Sequence, residues 1–154
     1  MILLQGSDMK ESKDMLCAVE LLKKEGYTMV AVKDCKTLSD RRRGVAPLLS
    51  LLDKGENLRG YSVADKVIGK AAAFLYVLLE AEYIYALTVS EAALQVFEEH
   101  GISIIYEEKA DMIHNRDKTG RCPMEQAVLC TDSAEEAVIL IRNKLNELTK
   151  NHNH

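Results

Sequence analysis

The chain has 154 residues, a hydrophobic fraction of 47% and a formal net charge of −4 at pH 7. This length suits one domain with a substantial core, and the small negative charge argues against the basic field of a nucleic-acid-binding protein. Tryptophan is absent and aromatic residues make up 5% of the chain, which argues against a surface on which bases stack.

The apolar pattern and the cysteines indicate where the protein works. No apolar run reaches the length needed to cross a membrane, and Met1–Gly6 lacks the basic and long apolar regions of a signal peptide. Four cysteines without regular spacing indicate free thiols in a reducing compartment. We therefore predict a cytoplasmic protein with a single domain over residues 1–154, a core at about residues 8–148 and a frayed C-terminal tail.

The first part of the chain predicts a helix, a hairpin and a short second helix. Apolar residues at helical spacing predict a helix at Asp8–Glu25, which Gly26 ends. A β-branched run predicts a strand at Tyr27–Lys33 and a return strand at Thr37–Asp40. The short helix is predicted at Pro47–Leu52, because proline suits a first helical turn.

The stretch Ser62–Ala81 predicts the central helix of the fold. Its first residue, with Asp65 three positions later, resembles a capping box, and apolar residues on most sides are typical of a buried helix. Lys66 and Lys70 would share one face, where an anion or a carboxylate would offset their repulsion. Gly69 would cost about 1 kcal/mol relative to alanine inside a helix, which the close approach of a backbone or a ligand would justify.

The next part alternates strands and helices. The apolar run Tyr83–Val89 predicts a strand inside a sheet, and Ser90 caps a helix that ends near His100. A second strand is predicted at Ile102–Tyr106, buried and parallel to the first, because a helix connects the two.

The last part predicts a long loop and two helices. Glu107–Arg121 is polar and long, which is typical of a functional or disordered loop. Pro123 would start a short helix with Cys122 at its cap, and the last helix is predicted at Ala134–Leu148. The order α-β-β-α-α-β-α-β-loop-α-α predicts an α/β fold, with a mixed sheet inside a three-layer α/β/α arrangement.

Four motifs, considered together, connect the chain to a known family. They are RGVAPLL at Arg43–Leu49, ADKVIGKAA at Ala64–Ala72, the pair Asn115–Arg116 and CPME at Cys122–Glu125. With this set the chain resembles the uncharacterised domain-of-unknown-function family 1893 over nearly its whole length. The resemblance implies a cytidine deaminase-like topology and a pocket at the start of the central helix.

The resemblance also implies that the zinc site of the deaminase superfamily is missing. The superfamily places His-x-Glu at the start of the central helix, where this chain reads Ala64–Lys66. Its Pro-Cys-x-x-Cys motif would open the helix after the next strand, where this chain reads Thr88–Glu91. No metal or other cofactor is therefore predicted, and zinc-dependent deamination is not expected.

Charged and polar residues near the ends of elements predict a ligand site. In open α/β sheets, ligands bind beyond the carboxyl ends of the strands, next to helix starts. Arginine offers bidentate contacts to phosphate and lysine a point charge, so we expect a small anionic or nucleotide-like ligand. The predicted contacts are Arg43, Lys70, Ser90, Asn115, Arg116 and Glu125.

Three residues are candidates for catalysis if the protein is an enzyme. Asp65 with Lys66 would serve acid–base chemistry. Cys122, a thiol at a helix start next to Arg121, would serve as a nucleophile, because such surroundings lower the pKa of a thiol.

Each of these features also has a simpler interpretation. The lysines and arginines would then be solvated, Asp65 would only cap a helix, and Cys122 would be a buried inert thiol. The alternative function is a non-catalytic interaction protein whose sheet edge or helix face forms homo-oligomers. A metal site at His114, Cys122 and Cys130 is disfavoured, because their spacing matches no paired ligand pattern.

Overall fold

The computed structural model describes residues 6–113 and 120–152, with side chains described within 13–113 and 120–150. Helices and strands follow each other as α-β-β-α-β-α-β-α-β-α-α in these ranges. The elements are α1 (Gly6–Glu25), β1 (Met29–Lys33), β2 (Lys36–Asp40), α2 (Ala46–Asp53), β3 (Ser62–Ile68), α3 (Lys70–Leu78), β4 (Tyr83–Ser90), α4 (Glu91–Glu99), β5 (Ser103–Ala110), α5 (Pro123–Ala127) and α6 (Ala134–His152).

The strands form one mixed sheet in the order β2-β1-β3-β4-β5. Strand β1 is antiparallel to both β2 and β3, whereas β3, β4 and β5 are parallel. Four strands therefore end at the same side of the sheet, with Asp40, Ile68, Ser90 and Ala110 as their last residues. We call this side the carboxyl edge.

Helices cover both faces of the sheet, which gives three layers. On one face α1 packs over β1 and β3, where Leu22 contacts Val30 and its neighbours. The alternate residues of β1, Met29 and Ala31, face the larger core that contains residues of α2 to α6. The predicted α/β class with a mixed sheet is confirmed, whereas the cytidine deaminase-like topology stays a prediction.

The central helix at Ser62–Ala81 was predicted wrongly in its first half. Ser62–Ile68 forms β3, and α3 begins at Lys70 with Gly69 as its N-cap. A strand that is buried between two neighbours has a nearly continuous apolar sequence, which resembles the sequence of a buried helix. The pairing of β3 with β1 and β4 decides between the two structures.

The predicted strand Ile102–Tyr106 also needs correction. It runs over Ser103–Ala110 and is largely exposed at the edge of the sheet, so Glu107 to Ala110 do not belong to a loop. An edge strand has one open side and therefore tolerates the charged residues that suggested a loop.

Other local predictions are confirmed. The hairpin joins β1 to β2, and Pro47 lies in the first turn of α2. The helix predicted at Ala134–Leu148 extends to His152, so residues 151 and 152 of the expected tail are helical, whereas 153 and 154 lie outside the described residues. Within the described ranges no helix is long and apolar enough to span a membrane. The cytoplasmic localisation stays a prediction.

Candidate functional site

The fold brings most of the predicted site residues to the carboxyl edge. Arg43 follows the end of β2, and Lys66 lies near the end of β3. Lys70 begins α3, Ser90 ends β4, and the segment from Cys122 to Glu125 contacts the start of α3. Asn115 and Arg116 lie outside the described residues.

Glu125 fills the N-terminus of α3. Its side chain is 6% exposed, and its carboxylate accepts hydrogen bonds from the backbone N–H groups of Lys70 at 2.6 Å and Ala71 at 2.9 Å. These N–H groups have no partner within the helix, and the helix dipole favours a negative charge at this end. The structure thus gives Glu125 a contact within the protein, whereas the sequence suggested a contact with a ligand.

Gly69 makes this contact possible. A Cβ atom at position 69 would lie 2.3 Å from Oε1 of Glu125, which is closer than real Cβ atoms approach. The backbone angles of Gly69 (φ −100°, ψ −176°) suit any residue, so glycine is needed here for space. The close approach expected at Gly69 is therefore made by the side chain of Glu125.

Asp65 is a buried acid rather than a helix cap. It lies in β3 with 8% exposure, accepts a hydrogen bond from the Tyr76 hydroxyl at 2.5 Å and accepts a second from the Val67 N–H at 3.2 Å. Burial raises the pKa of Asp65 to about 7, although both hydrogen bonds act to lower it. Burial and the neighbouring Asp65 also raise the pKa of Tyr76.

Lys66 and Lys70 do not share a helical face, so that prediction is wrong. Lys66 is exposed on β3. Lys70 donates from Nζ to the carbonyl of Leu129 at 3.1 Å, and its Nζ lies 5.7 Å from the centre of the Phe74 ring. No ion pair joins Asp65 to Lys66 in the part of the chain that the structure describes.

The carboxyl edge carries positive charge that lacks carboxylate partners. Arg42 pairs with Asp40 at 2.7 Å, and Lys109 pairs with Glu91 at 3.3 Å. By contrast, five cations of this edge form no ion pair within residues 13–113 and 120–150. One is Arg41, whose guanidinium donates to the Glu25 carbonyl at 2.9 Å and lies over the Tyr27 ring. The other four are Arg43, Lys66, Lys70 and Arg121. An anion at this edge would therefore meet attractive charge, although the chain as a whole is negative.

Ser90 and Cys122 both lie at helix starts, as predicted. The Ser90 hydroxyl is 1% exposed and accepts a hydrogen bond from the Ala93 N–H at 3.1 Å, so it serves as the cap of α4. Cys122 is half-buried at the N-cap of α5, where its backbone N–H donates to the Ile113 carbonyl at 2.9 Å and its thiol makes no capping hydrogen bond. Its role as a nucleophile stays a prediction.

The starts of α3 and α4 carry no zinc-ligand motif. Helix α3 starts at Gly69–Lys70, so the residues Ala64–Lys66, which were compared with His-x-Glu, lie in a strand. Helix α4 starts at Ser90–Glu91, as expected. Among the described residues no group of three His, Cys, Asp or Glu side chains is placed to hold a metal ion. His114 lies outside them.

Sequence reasoning missed two features of this region. Tyr76 was not singled out, although a tyrosine in a buried apolar run needs a partner for its hydroxyl, which is a usable signal. A cavity of about 320 Å³ beside the carboxyl edge, between the hairpin and α2, was missed as well. Its polar lining includes Asp40, Arg42, Ser50 and Lys54, which come together only in the folded chain.

Comparisons with known proteins concern nearly the whole chain. The sequence model of the domain of unknown function DUF1893 matches residues 17–145. Among solved structures, the crystal structure of a DUF1893 family protein from Thermotoga maritima is similar, with a TM-score of 0.80 and 28% sequence identity. The similarity covers 94% of this chain and 97% of that chain. No curated protein matches the sequence significantly.

Proposed function

This chain belongs to the DUF1893 family, a family of unknown function, and we propose that it binds a small anionic ligand at the carboxyl edge of its sheet. The ligand class that suits the site is a nucleotide or another phosphate-bearing small molecule. The proposal involves a deaminase-like scaffold but no zinc-dependent chemistry. It is supported by the position of this edge beyond the carboxyl ends of the neighbouring parallel strands β3 and β4, where ligands bind in open α/β sheets.

The observation that carries this proposal is the group of unpaired cations. Arg43, Lys66, Lys70 and Arg121 have no carboxylate partner in the described residues, whereas Arg42 and Lys109 do. Unneutralised cations in one region repel each other, and a bound anion removes that cost. The guanidinium groups of Arg43 and Arg121 would each form bidentate contacts with phosphate oxygens. Lys66 and Lys70 would add positive charge.

Glu125 limits where the ligand lies. The free N–H groups at a helix start usually attract a phosphate, but those of α3 are already bound by the carboxylate of Glu125. The ligand would therefore be held by side chains beside α3 rather than by the helix start itself. Arg43 and Lys66 are exposed, whereas Lys70 and Arg121 are partly buried, so Arg43 and Lys66 are expected to contribute most.

Thermal unfolding in the presence of phosphate compounds tests the proposal. The panel contains inorganic phosphate, pyrophosphate and nucleoside mono- and diphosphates. A ligand at about 100 times its dissociation constant stabilises the folded state by about 2.7 kcal/mol, which is a clear rise in melting temperature. The double variant Arg43→Gln/Lys66→Gln is expected to lose this rise.

The matched control removes two exposed lysines from the opposite side of the sheet. Lys13→Gln/Lys36→Gln changes the net charge by the same amount, because both positions are lysines of the described surface. It is expected to keep the full ligand effect. An equal loss in both double variants, or no stabilisation by any compound of the panel, would contradict the proposal.

Catalysis by Asp65, Lys66 and Cys122 is a second candidate. The pKa of Asp65 is about 7, so this carboxyl group holds or releases a proton near neutral pH, as a general acid or base must. This candidate requires an activated thiol at Cys122. Its test is competitive labelling with iodoacetamide, in which half-buried Cys122 should react faster than exposed Cys35. Slower labelling of Cys122 contradicts a catalytic thiol.

A further inference from the structure

Strand β5 has no partner strand on its outer side among the residues that the structure describes. It lies at the edge of the sheet and pairs with β4 alone among the described elements. The Ser103 N–H donates to the Glu82 carbonyl of the chain before β4 at 3.0 Å. Because backbone groups alternate in direction along a strand, Ile104, Tyr106 and Glu108 point their N–H and C=O groups away from β4. These groups need a partner or water.

The residues of β5 divide into an apolar part and a charged part. Ile104, Ile105 and Tyr106 come first, and Glu107 to Lys109 follow. Ile105 is 46% exposed and Tyr106 is 42% exposed. Charged residues usually protect an edge strand from pairing with another chain, but here they protect only the second part of the strand.

The sheet face beside β5 is also only partly covered. Helix α1 lies over β1 and β3, and its Lys23 reaches Glu107 at 2.6 Å. Glu107 also accepts a hydrogen bond from the Tyr85 hydroxyl at 2.6 Å. Leu87 of β4 packs against the core cluster under α1, whereas Ile105 of β5 is 46% exposed and no described helix of this face covers it.

We propose that β5 is an interaction surface for a second copy of this chain. The two β5 strands would pair antiparallel about a two-fold axis at Ile105, which extends the sheet across both copies. This pairing satisfies the outward backbone groups of both strands. In an isologous contact each residue must suit the residue opposite it in both directions, which limits the registers that β5 allows.

The directions of the backbone groups and the charges select the register. Hydrogen-bonded pairs must join residues whose backbone groups point outward, and these are every second residue of β5. The two-fold axis therefore passes through a residue and not between two residues. An axis at Glu107 or Glu108 sets a carboxylate opposite its own copy, which is unfavourable. An axis at Tyr106 sets Ile105 opposite Glu107, and an axis at Ile104 sets Ser103 opposite Ile105, so both place a polar residue opposite an apolar one.

The axis at Ile105 gives the most favourable pairs. It sets Ile105 opposite Ile105, Ile104 opposite Tyr106, and Ser103 opposite Glu107. This arrangement has an apolar centre and a polar rim, as in stable protein interfaces. Apolar residues of one copy meet apolar residues of the other, and Ser103 meets Glu107, so β5 is complementary to a second copy of itself.

Disulfide crosslinking tests the register. In a background with Cys17→Ser, Cys35→Ser and Cys130→Ser, Ile105→Cys would place two Cα atoms about 4.5 Å apart in a non-hydrogen-bonded pair. This separation is within the range of disulfides, so a covalent dimer is expected on mild oxidation. Glu108→Cys is the matched control, because the two copies of position 108 would lie six residues, about 20 Å, apart. No dimer with Ile105→Cys, or equal dimers with both variants, would overturn the register.

The oligomeric state tests the surface itself. Light scattering and sedimentation are expected to show a dimer for the native chain and a monomer for Ile105→Lys, which places two ammonium groups at the axis. Ile139→Lys is the control, because Ile139 is 58% exposed on α6, away from the sheet edge. A monomeric native chain, or equal dissociation in both variants with unchanged circular dichroism, rejects the surface. Both measurements are made without phosphate compounds, so they do not depend on the proposed ligand.

Discussion

Two buried carboxylates near α3 are held in different ways. Glu125 is 6% exposed and receives two backbone N–H groups at the positive end of the helix. Asp65 is 8% exposed and accepts hydrogen bonds from the Tyr76 hydroxyl and the Val67 N–H group. Their exposure is nearly equal, so the two sites differ in their hydrogen-bond donors and in their position relative to the helix dipole, and not in burial.

This difference shows that two carboxylates of similar burial can have different structural roles. At Glu125 the free N–H groups of a helix start stabilise the carboxylate, and the carboxylate completes the helix in return. At Asp65 burial outweighs the two hydrogen bonds and raises the pKa to about 7. Glu125 should therefore stabilise the fold by completing α3, whereas Asp65 should weaken the fold when it loses its proton.

The largest effect is expected for Gly69→Ala. The new Cβ atom would lie 2.3 Å from Oε1 of Glu125, so the carboxylate must leave its two N–H partners. Loss of two hydrogen bonds to a charged group predicts a decrease of roughly 3 kcal/mol in the free energy of unfolding, measured with urea.

The double variant Gly69→Ala/Glu125→Ala separates the steric contact between the new Cβ atom and Glu125 from the other effects of alanine at position 69. In the Glu125→Ala background, Gly69→Ala is expected to cost only about 1 kcal/mol, the cost of a poor N-cap residue. The same cost in both backgrounds would mean that the steric contact with Glu125 is not what requires glycine.

The next effect is a pH dependence that comes from Asp65. An aspartate has a pKa of about 3.9 in an unfolded chain and about 7 here, so the folded state binds the proton more tightly. Its contribution to stability is complete below about pH 4 and is lost as the pH rises through about 7.

Between pH 5 and pH 8 the native chain should therefore lose roughly 2–3 kcal/mol more stability than Asp65→Asn. Urea unfolding of both proteins at the two pH values measures this difference, and contributions from other groups cancel. Parallel pH profiles of the two proteins would show that Asp65 is charged at both pH values.

The smallest effect is expected for Glu125→Gln. The amide keeps one acceptor oxygen but places an NH₂ group near a backbone N–H, and it removes the charge that the helix dipole favours. We expect a loss of about 1–2 kcal/mol in the free energy of unfolding. At pH 8 Asp65→Asn should instead be neutral or stabilising. If both amide variants behave alike there, the contrast between the two sites fails.

Local signals in the sequence predicted much of the fold correctly. The hairpin, the position of Pro47 and the caps at Ser90 and Cys122 follow from a few neighbouring residues, whose preferences act within one or two turns. The region of the site was also indicated, because strand ends and helix starts can be read from such signals.

The contacts within that region could not be read in this way. Lys70 and Glu125 are 55 positions apart, and no local preference of either residue indicates the other. The assignment of Asp65 to a helix cap failed because the pattern Ser62 to Asp65 fits both a capping box and a strand. The edge position of β5 depends on the order of strands, which single strands do not reveal.

The sequence alone determined the element types wherever a residue has a strong backbone preference, as at Pro47 and Gly26, and it determined the family through its four motifs. Only the tertiary structure decided that Ser62–Ile68 is a strand, that Glu125 completes α3 and that Asp65 meets Tyr76. The reason is that pairing between strands and burial of charge are energies shared by segments far apart in the chain, so they exist only once those segments meet.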